Sequence, residues 1–266
     1  MTPPKTRRQA MKQDREDRQA SMIPTLMANV TPGHLAKPGE LIDFRIDGLD
    51  KLTKVDLDIE NRLLRNALDN RDRVRAGELS YTIPMRALNG GRKDNERVFA
   101  SLTRLQKTIM QVRTGKDGIL SVPKLAEFTH GEANGISRGM LNYEYTPRYL
   151  RVMHFSMNWG LLDVDLMSRL PSKYAYRLFE VVARRIKLRH MTTEAFSPGD
   201  MRDIVLGVPK GKLQSSNDLW RYAIAPAIAH VNEIAPFEVD IEPVVEKRIV
   251  TGYVVRWTGD AAVIDA

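Results

Sequence analysis

Residues 197–234 read SPGDMRDIVLGVPKGKLQSSNDLWRYAIAPAIAHVNEI, and this stretch carries the start and stop signals of two successive helices. Ser197 and Pro198 are typical of a helix start, and Gly207 is typical of a helix end. Ser215 begins a second capping sequence in front of a longer helix. A short helix, a turn and a longer helix form the order of a helix-turn-helix.

The longer helix is amphipathic and is predicted to lead into a hairpin. Its apolar face consists of Leu219, Trp220, Ala223, Ile224, Ala227, Ile228 and Val231. Pro226 lies inside this face and removes one backbone hydrogen bond, so we expect a bend there. Apolar and polar residues alternate from Phe237 and again from Tyr253, which predicts two strands. With a long helix predicted over about 172–189, the order is that of a winged helix.

The first half of the chain shows a similar order without obvious sequence identity. Its predicted elements are a helix from Val55, a short strand over 78–84, a helix from Asn95 to about Val112, and a hairpin of strands near 119–122 and 140–145. The fold class is therefore predicted to be α+β, mainly α, with two tandem winged-helix domains. The predicted boundaries are a flexible N-terminal arm at 1–54, domain 1 at 55–160, domain 2 at 161–258 and a C-terminal tail at 259–266. The arm is predicted to be mostly mobile, because it lacks a sustained period and offers little apolar surface to bury.

Composition favours a polyanionic partner. The chain has 266 residues with 41 Lys and Arg against 33 Asp and Glu, a net charge of +8. The absence of cysteine excludes disulfides, zinc–thiolate sites and cysteine nucleophiles. No apolar run reaches the roughly 20 residues of a membrane helix, and the first residues lack an apolar signal segment. A soluble, cytoplasmic protein is predicted.

The sequence does not favour an enzyme. The five histidines are scattered, with no pair at the four-residue spacing of a helical metal site. Residues 207–212 are similar to a phosphate-binding loop, but one residue is missing between the glycines and Leu213 replaces the magnesium-binding hydroxyl. A helix-terminating turn is the simpler interpretation. We therefore expect no catalytic residues, no metal and no cofactor.

Basic and hydrogen-bonding residues cluster on two predicted helices, each on one face. These candidate DNA-binding residues are Arg97, Ser101, Arg104 and Thr108 in domain 1, and Lys173, Arg184 and Lys187 in domain 2. Lys and Arg in such a cluster neutralise phosphates and release counterions. The alternative is an ordinary solvated face, with Arg177 paired to Glu180 three residues on.

Residues 215–266 are acidic overall, with four Lys and Arg against eight Asp and Glu. DNA contacts of domain 2 should therefore come from its turn, its outer helix face and the hairpin tip. The candidates are Lys210, Lys212, Asn217, Arg221, Tyr222, Lys247 and Arg248. Arg221 is the best candidate for a base edge, because guanidinium matches guanine O6 and N7. The alternatives for it are a phosphate contact or a salt bridge to Asp218.

Residues 170–180 read LPSKYAYRLFE, which resembles the signature helix L-x-S-x-Y-A-x-R-L-Y-E of the plasmid replication initiators that bind iterons. Residues 225–234 resemble the L-x-P-A-I-x-E-I-N segment of that family, Pro226 included, and 79–84 resemble the opening of its first winged-helix domain. The likeness covers about residues 55–258. His230, where an acidic residue is common, and the long arm depart from the family pattern.

The resemblance implies two winged-helix domains related by approximate two-fold symmetry. It implies double-stranded DNA with repeated origin sequences as the partner, and recruitment of host replication proteins such as an initiator ATPase and a helicase. It also implies a homodimer in equilibrium with the monomer, the dimer repressing the initiator's own gene. The resemblance places the major-groove elements on Asn217 and Arg221 in domain 2, and on the helix with Arg97 and Arg104 in domain 1.

Three other functions remain open at this stage. A winged-helix transcriptional repressor would use the same DNA-reading surface as an initiator. A protein-interaction or partition module is favoured by the acidic final hairpin. A nicking enzyme is the third, although the paired histidines of rolling-circle enzymes are missing.

Overall fold

The computed structural model describes residues 33–43, 46–70, 80–91, 95–114, 118–130, 139–150, 159–186, 188 and 191–259. Within these ranges no helix combines the length and the apolar character that a membrane span requires. The predicted C-terminal tail, apart from residue 259, and residues 1–32 of the predicted arm lie outside them.

The first part of the chain contains four short N-terminal elements and then the first unit, which we define as α2 to β7. Its elements are β1 (His34–Pro38), α1 (Gly39–Asp43), β2 (Ile46–Asp47), a 3₁₀ turn (Leu49–Lys51), α2 (Lys54–Asp69), β3 (Ser80–Pro84), α3 (Met85–Asn89), α4 (Glu96–Gln106), β4 (Ile109–Thr114), β5 (Gly118–Pro123), β6 (Leu125–His130) and β7 (Met140–Tyr145).

The second part begins with a connecting strand and helix and continues into the second unit, which we define as α6 to β11. Its elements are β8 (Trp159–Asp163), α5 (Val164–Ser168), α6 (Lys173–Ile186), β9 (Thr193–Phe196), α7 (Pro198–Asp200, continued by a π-helical stretch Met201–Leu206), α8 (Ser216–Leu219, a π-helical turn Trp220–Ile224, and Ala225–Ile234), β10 (Glu238–Glu246) and β11 (Ile249–Thr258).

Each unit contains a three-stranded antiparallel sheet with the same strand order. In the first unit β7 lies between β3 and β6, and in the second β11 lies between β9 and β10. Tyr81 pairs with Tyr143 in the first sheet, and Phe196 pairs with Tyr253 in the second. Both sheets therefore join the strand after the first helix to the last strand of the unit. This confirms the tandem winged-helix prediction, while the two-fold symmetry and the exact domain boundaries stay predictions.

The hairpin of the first unit differs from the prediction. Helix α4 ends at Gln106, and the residues that continued its apolar spacing, Ile109 and Val112, lie in strand β4. Strand β4 pairs with β5 on one side and with β2 on the other. The partner of β7 is β6 and not the strand near 119–122. Helical and strand spacing overlap over these few residues, so periodicity did not distinguish the end of the helix from strand β4, which pairs mainly with β5.

The prediction of a mobile arm at 1–54 is wrong for the residues that the structure describes there. Strand β1 pairs antiparallel with β8, with His34 opposite Asp163. Apolar side chains of this stretch are buried in the core, namely Leu35, Leu41, Ile42, Leu49 and Leu52. Their burial depends on partners more than a hundred residues away, which local composition does not reveal.

Candidate nucleic-acid interface

The helix-turn-helix of the second unit is ordered by its caps and by one arginine. The Ser197 and Ser215 side chains each accept a hydrogen bond from a backbone N–H three residues on, at 3.0 Å. Gly207 ends α7 with a φ of 61°. The Arg202 guanidinium donates to the backbone carbonyls of Lys212 (2.7 Å) and Gln214 (3.2 Å). The predicted capping signals are confirmed, and Arg202 holds the turn in one conformation.

The side chains of Lys210 and Lys212 in this turn are exposed. Neither makes an ion pair with any carboxylate in the described part of the chain. Two cations on an ordered loop that precedes a helix are suited to binding phosphate oxygens.

Helix α8 accommodates Pro226 by forming a π-helical turn directly before it. The backbone N–H of Ala225 donates to the carbonyl of Trp220, five residues back, directly before Pro226. A π-helical turn of this kind rearranges the hydrogen bonds next to a residue that has no N–H. The bend expected at Pro226 thus takes the form of a local change in helix type. Such turns are frequent at functional sites.

The N-terminal part of helix α8 exposes three polar residues, two of them on the π-helical turn. Asn217, Arg221 and Tyr222 are exposed, Tyr222 at 55%, whereas Leu219 and Ala223 are buried. The Arg221 guanidinium lies 5.4 Å from the centre of the Tyr222 ring. Within the described ranges, no salt bridge joins Arg221 to Asp218. Arg221 and Tyr222 together form an exposed cation–π pair.

The hairpin of the second unit ends in two basic residues with unusual backbone. Lys247 and Arg248 connect β10 to β11 with φ of 47° and 67°. This left-handed region is favoured by glycine and asparagine in two-residue hairpin turns, so two long side chains here store strain. Both are exposed, and the apolar side chains of Val245 and Ile249 beside them are 54% and 67% exposed.

One face of the same hairpin is acidic, as the sequence predicted. Glu238, Asp240 and Glu242 on β10 are exposed, and Arg256 on β11 lies 2.7 Å from Glu242. The pair is solvated on both sides, so it contributes little to stability. Negative charge on this face disfavours phosphates, so the hairpin tip is the part suited to an anion.

The predicted DNA face of α4 is not formed. Ser101 and Thr108 are 0% and 1% exposed and therefore unavailable to DNA. The Arg104 guanidinium makes two hydrogen bonds of 2.8 Å to the carboxylate of Asp56 on α2. Only Arg97 of the predicted set is exposed, and it lines a separate cavity of about 350 Å³. Packing of α2 on α4 explains the difference, because it buries Ser101 and places the Asp56 carboxylate against Arg104, whose side chain stays 37% exposed.

The basic residues of α6 also have partners inside the protein. Arg184 is salt-bridged to Asp43 on α1. The Lys173 ammonium donates to the carbonyls of Leu49 (3.3 Å) and Asp50 (3.2 Å). Burial lowers the pKa of Lys173 from 10.5 to about 8, against the opposing charge of Asp50. The alternative of an ordinary solvated face is therefore wrong at both positions, and these two DNA-binding candidates are engaged within the protein. The third candidate there, Lys187, lies outside the described residues.

The signature-like helix α6 joins the two units through a buried polar network. The Lys37 ammonium donates to Glu180 (2.7 Å) and to Asn61 on α2 (2.9 Å). The Asn61 amide donates to Glu180 (3.0 Å) and to the Tyr176 hydroxyl (2.9 Å). Arg177 donates to Glu180 at 2.5 Å, so the predicted pairing of these two residues is confirmed, but inside the core.

Electrostatics within this network keep its carboxylate charged. Burial raises the pKa of Glu180, but the charges of Lys37 and Arg177 and the hydrogen bonds from Lys37 and Asn61 outweigh it and lower the pKa to about 2. Arg177 also donates to the backbone carbonyls of Ile42 (2.7 Å) and Ile204 (2.9 Å). Each charge is thus compensated at the junction of β1, α2, α6 and α7, which ties one unit to the other.

A cleft of about 870 Å³ opens between the units. We call it the inter-unit cleft; it is lined by Gly48, Leu49, Asp50, Lys51, Arg104, Lys107, Thr108, Ile109, Gln111, Arg202, Asp203, Gly207, Val208, Lys210, Gly211 and Gln214. Arg104 and Thr108 from the first unit meet Lys210 from the second here, so three residues of the predicted set share one site. Lys51, Lys107 and Arg202 were not predicted. Lys51 lies in the stretch interpreted as an arm, and nothing in the sequence marks it as a cleft residue.

No group of three or more histidine, aspartate or glutamate side chains in the described ranges is placed to hold a metal ion. The described histidines do not meet in any such cluster.

Comparisons with known proteins agree with this geometry. Residues 200–257, which contain the two helices and the hairpin described above, match the family model described as Initiator Rep protein, WH2. The chain is similar to the solved Pi initiator protein in complex with iteron DNA, with a TM-score of 0.58 and 12% identity over 86% of this chain and 98% of that one. It also matches domains 2 and 3 of RctB, with a TM-score of 0.46 and 11% identity over 76% and 81% of the two chains. Among curated proteins no match is found.

The family match confirms the resemblance to initiator Rep proteins within the second unit. The likeness to the Pi structure concerns the fold, and it extends over both units.

Proposed function

We propose that this chain is a plasmid replication initiator that binds repeated duplex DNA. The observation that carries the proposal is the position of the family match. It falls on the segment that exposes Arg221 and Tyr222 on α8 and that includes the basic tip of the hairpin. We expect α8 to enter a major groove, with Asn217 and Arg221 on base edges.

Affinity would come from phosphate contacts that are independent of sequence. Along the chain, the proposed base-reading residues lie between two pairs of exposed cations. One pair is Lys210 and Lys212, in the turn before α8, and the other is Lys247 and Arg248, at the hairpin tip. Each phosphate neutralised releases counterions, so binding should weaken steeply with salt. The exposed cations on both sides of α8 support this arrangement.

Several finer functions belong to the same proposal. We infer no catalytic activity, a cytoplasmic location and a homodimer in equilibrium with the monomer. We also infer repression of the initiator's own gene and recruitment of host replication proteins such as an initiator ATPase and a helicase. The acidic face with Glu238, Asp240 and Glu242 is the described surface that favours protein contacts over DNA.

The test begins by selecting duplexes that the full-length protein binds from a random pool. Arg221→Ala is then compared with wild type on the selected duplex and on a scrambled one. We expect a loss of about 1–3 kcal/mol of discrimination between the two, the value of one bidentate base contact. Lys210→Ala is the control, and it should weaken binding to both duplexes equally. Equal weakening by Arg221→Ala would remove its base-reading role.

The binding experiment and two further assays separate the alternatives. A protein-interaction or partition module would show almost no binding to any duplex at low salt. A transcriptional repressor would bind the selected duplex but would fail to support replication of a plasmid carrying repeats of it. A nicking enzyme would cleave supercoiled plasmid in the presence of a divalent metal.

A further inference from the structure

We propose that the inter-unit cleft binds the sugar-phosphate backbone of the same duplex, between the two stretches that the units contact. This inference rests on the proposed function and names a site for it outside helix α8. The ligand class is a run of DNA phosphates, held by Lys51, Lys107 and Lys210.

The walls of the cleft are held rigidly by close backbone contacts. A side chain at Gly207 would lie 3.0 Å from Leu49, so the turn of the second unit packs directly on the 3₁₀ turn. A side chain at Gly48 would lie 3.7 Å from Thr108 of the first unit, at ordinary van der Waals distance. The Lys173 ammonium also donates a hydrogen bond to the carbonyl of Leu49. The turn Leu49–Lys51 is thus fixed between the two units, and the cleft is a preformed site.

Three cations of the cleft have no carboxylate partner in the described ranges. Lys51, Lys107 and Lys210 are exposed and make no ion pair there. The remaining cations are already engaged, Arg104 by Asp56 and Arg202 by backbone carbonyls. The lysines come from three different segments, so the cleft gathers positive charge from both units.

Two carboxylates also line the cleft and reduce its charge. The negative charge of Asp50 acts on the buried Lys173 ammonium, whose pKa it raises against burial. Asp203 has an interaction of its own. The cleft therefore contains three lysines without an ion pair in the described ranges and two carboxylates, each of which interacts with another group.

The position of the cleft indicates a polymer rather than a small anion. It reaches from Lys107, directly after helix α4, to Lys210, in the turn before α8. These are the corresponding helices of the two winged-helix units, so a duplex that runs from one unit to the other passes this point. Exposed lysines bind single anions weakly in water, but they gain affinity from a polyanion through counterion release.

The first experiment measures the salt dependence of duplex binding for Lys51→Ala/Lys107→Ala. At about 0.9 per phosphate contact, the slope of log K against log salt should fall by about 2, equally on selected and scrambled duplexes. The control is Arg86→Ala/Arg148→Ala, which also removes two charges but from exposed residues that line neither described cavity. Its slope should remain close to that of wild type. An unchanged slope in the lysine variant, or an equal fall in the control, overturns the proposal.

The second experiment asks whether the lysines are covered. Full-length protein is acylated with an amine-reactive reagent, with and without duplex, and the modified residues are identified by mass spectrometry. Lys51 and Lys107 should be protected by duplex but not by inorganic phosphate or a nucleoside triphosphate. Protection by those small anions alone would assign the cleft to a nucleotide. If wild type binds duplex and leaves both lysines reactive, only the cleft assignment fails; if it binds no duplex, the proposed function fails as well.

Discussion

The Lys37 ammonium lies 2.7 Å from the Glu180 carboxylate, and both side chains are almost fully buried. Lys37 belongs to strand β1 and Glu180 to helix α6, so this contact crosses from the N-terminal segment to the second unit. Asn61 on α2 bonds to both of them. The relative placement of the units therefore depends on charges that any other docking would leave uncompensated.

Removing this carboxylate should destabilise the protein strongly. We expect Glu180→Ala to lower the free energy of unfolding by about 3–5 kcal/mol, because Lys37 and Arg177 would keep buried charges without a partner. Urea denaturation measures the change. Glu242→Ala is the matched control, since its pair with Arg256 is exposed and is worth at most about 1 kcal/mol. A Glu180 variant as stable as the control would contradict the compensating role of the network.

Stability should depend on pH through Lys173. Its pKa is about 8 in the folded chain against an ordinary 10.5, because burial outweighs the charge of Asp50. Between these values the unfolded chain binds more protons, so this residue makes stability rise with pH. Relative to Lys173→Met, the wild-type free energy of unfolding should rise by on the order of 3 kcal/mol from about pH 8 to 10.5.

The comparison with the variant is needed because buried tyrosines act in the opposite direction. Burial raises the pKa of Tyr145, Tyr149 and Tyr176 well above the usual 10, so their contribution falls at higher pH in both proteins. Urea denaturation over a pH series gives the difference between the two curves. Parallel curves would show that the pKa of Lys173 in the folded chain does not differ from its ordinary value.

Arg104 should contribute to the stability of the fold and not to duplex binding. Burial raises the pKa of Asp56, but the hydrogen bonds from Arg104, Ser101 and Thr53 outweigh it and lower the pKa. Arg104→Ala leaves a buried carboxylate short of its main partner, and we expect a loss of about 1–3 kcal/mol. The salt slope of duplex binding should stay at the wild-type value. A lower salt slope of duplex binding with an unchanged free energy of unfolding would instead indicate that Arg104 contacts DNA.

Strain at the hairpin tip should be separable from its charge. Lys247→Asn/Arg248→Gly places residues suited to positive φ in the turn, and we expect a gain of about 1–2 kcal/mol in unfolding free energy. Duplex affinity should fall, because two cations are lost. The exchanged pair Lys247→Arg/Arg248→Lys keeps charge and strain and should match wild type in both measurements. Unchanged affinity in the first variant would exclude the tip from DNA contact.

Local signals predicted the second unit well. Ser197, Ser215 and Gly207 act at helix ends as predicted, because capping uses only a few neighbouring residues. The exposure of Arg221 and Tyr222 followed from the apolar stripe of α8. The charge alternation on β10 likewise predicted which side of the hairpin is acidic.

Tertiary structure alone decided which cations are free. The sequence shows Arg104, Lys173 and Arg184 as members of basic clusters, yet each is held by a partner far away along the chain. Lys51 shows the reverse: nothing in the sequence marks it, yet it lines the cleft because Leu49, in the same 3₁₀ turn, packs on Gly207. The amino-acid order by itself determined helix ends, strand alternation and total charge, since these depend on neighbours within a few residues. Which charges face water and which are buried depends on long-range packing and compensation, and these exist only once the two units have docked.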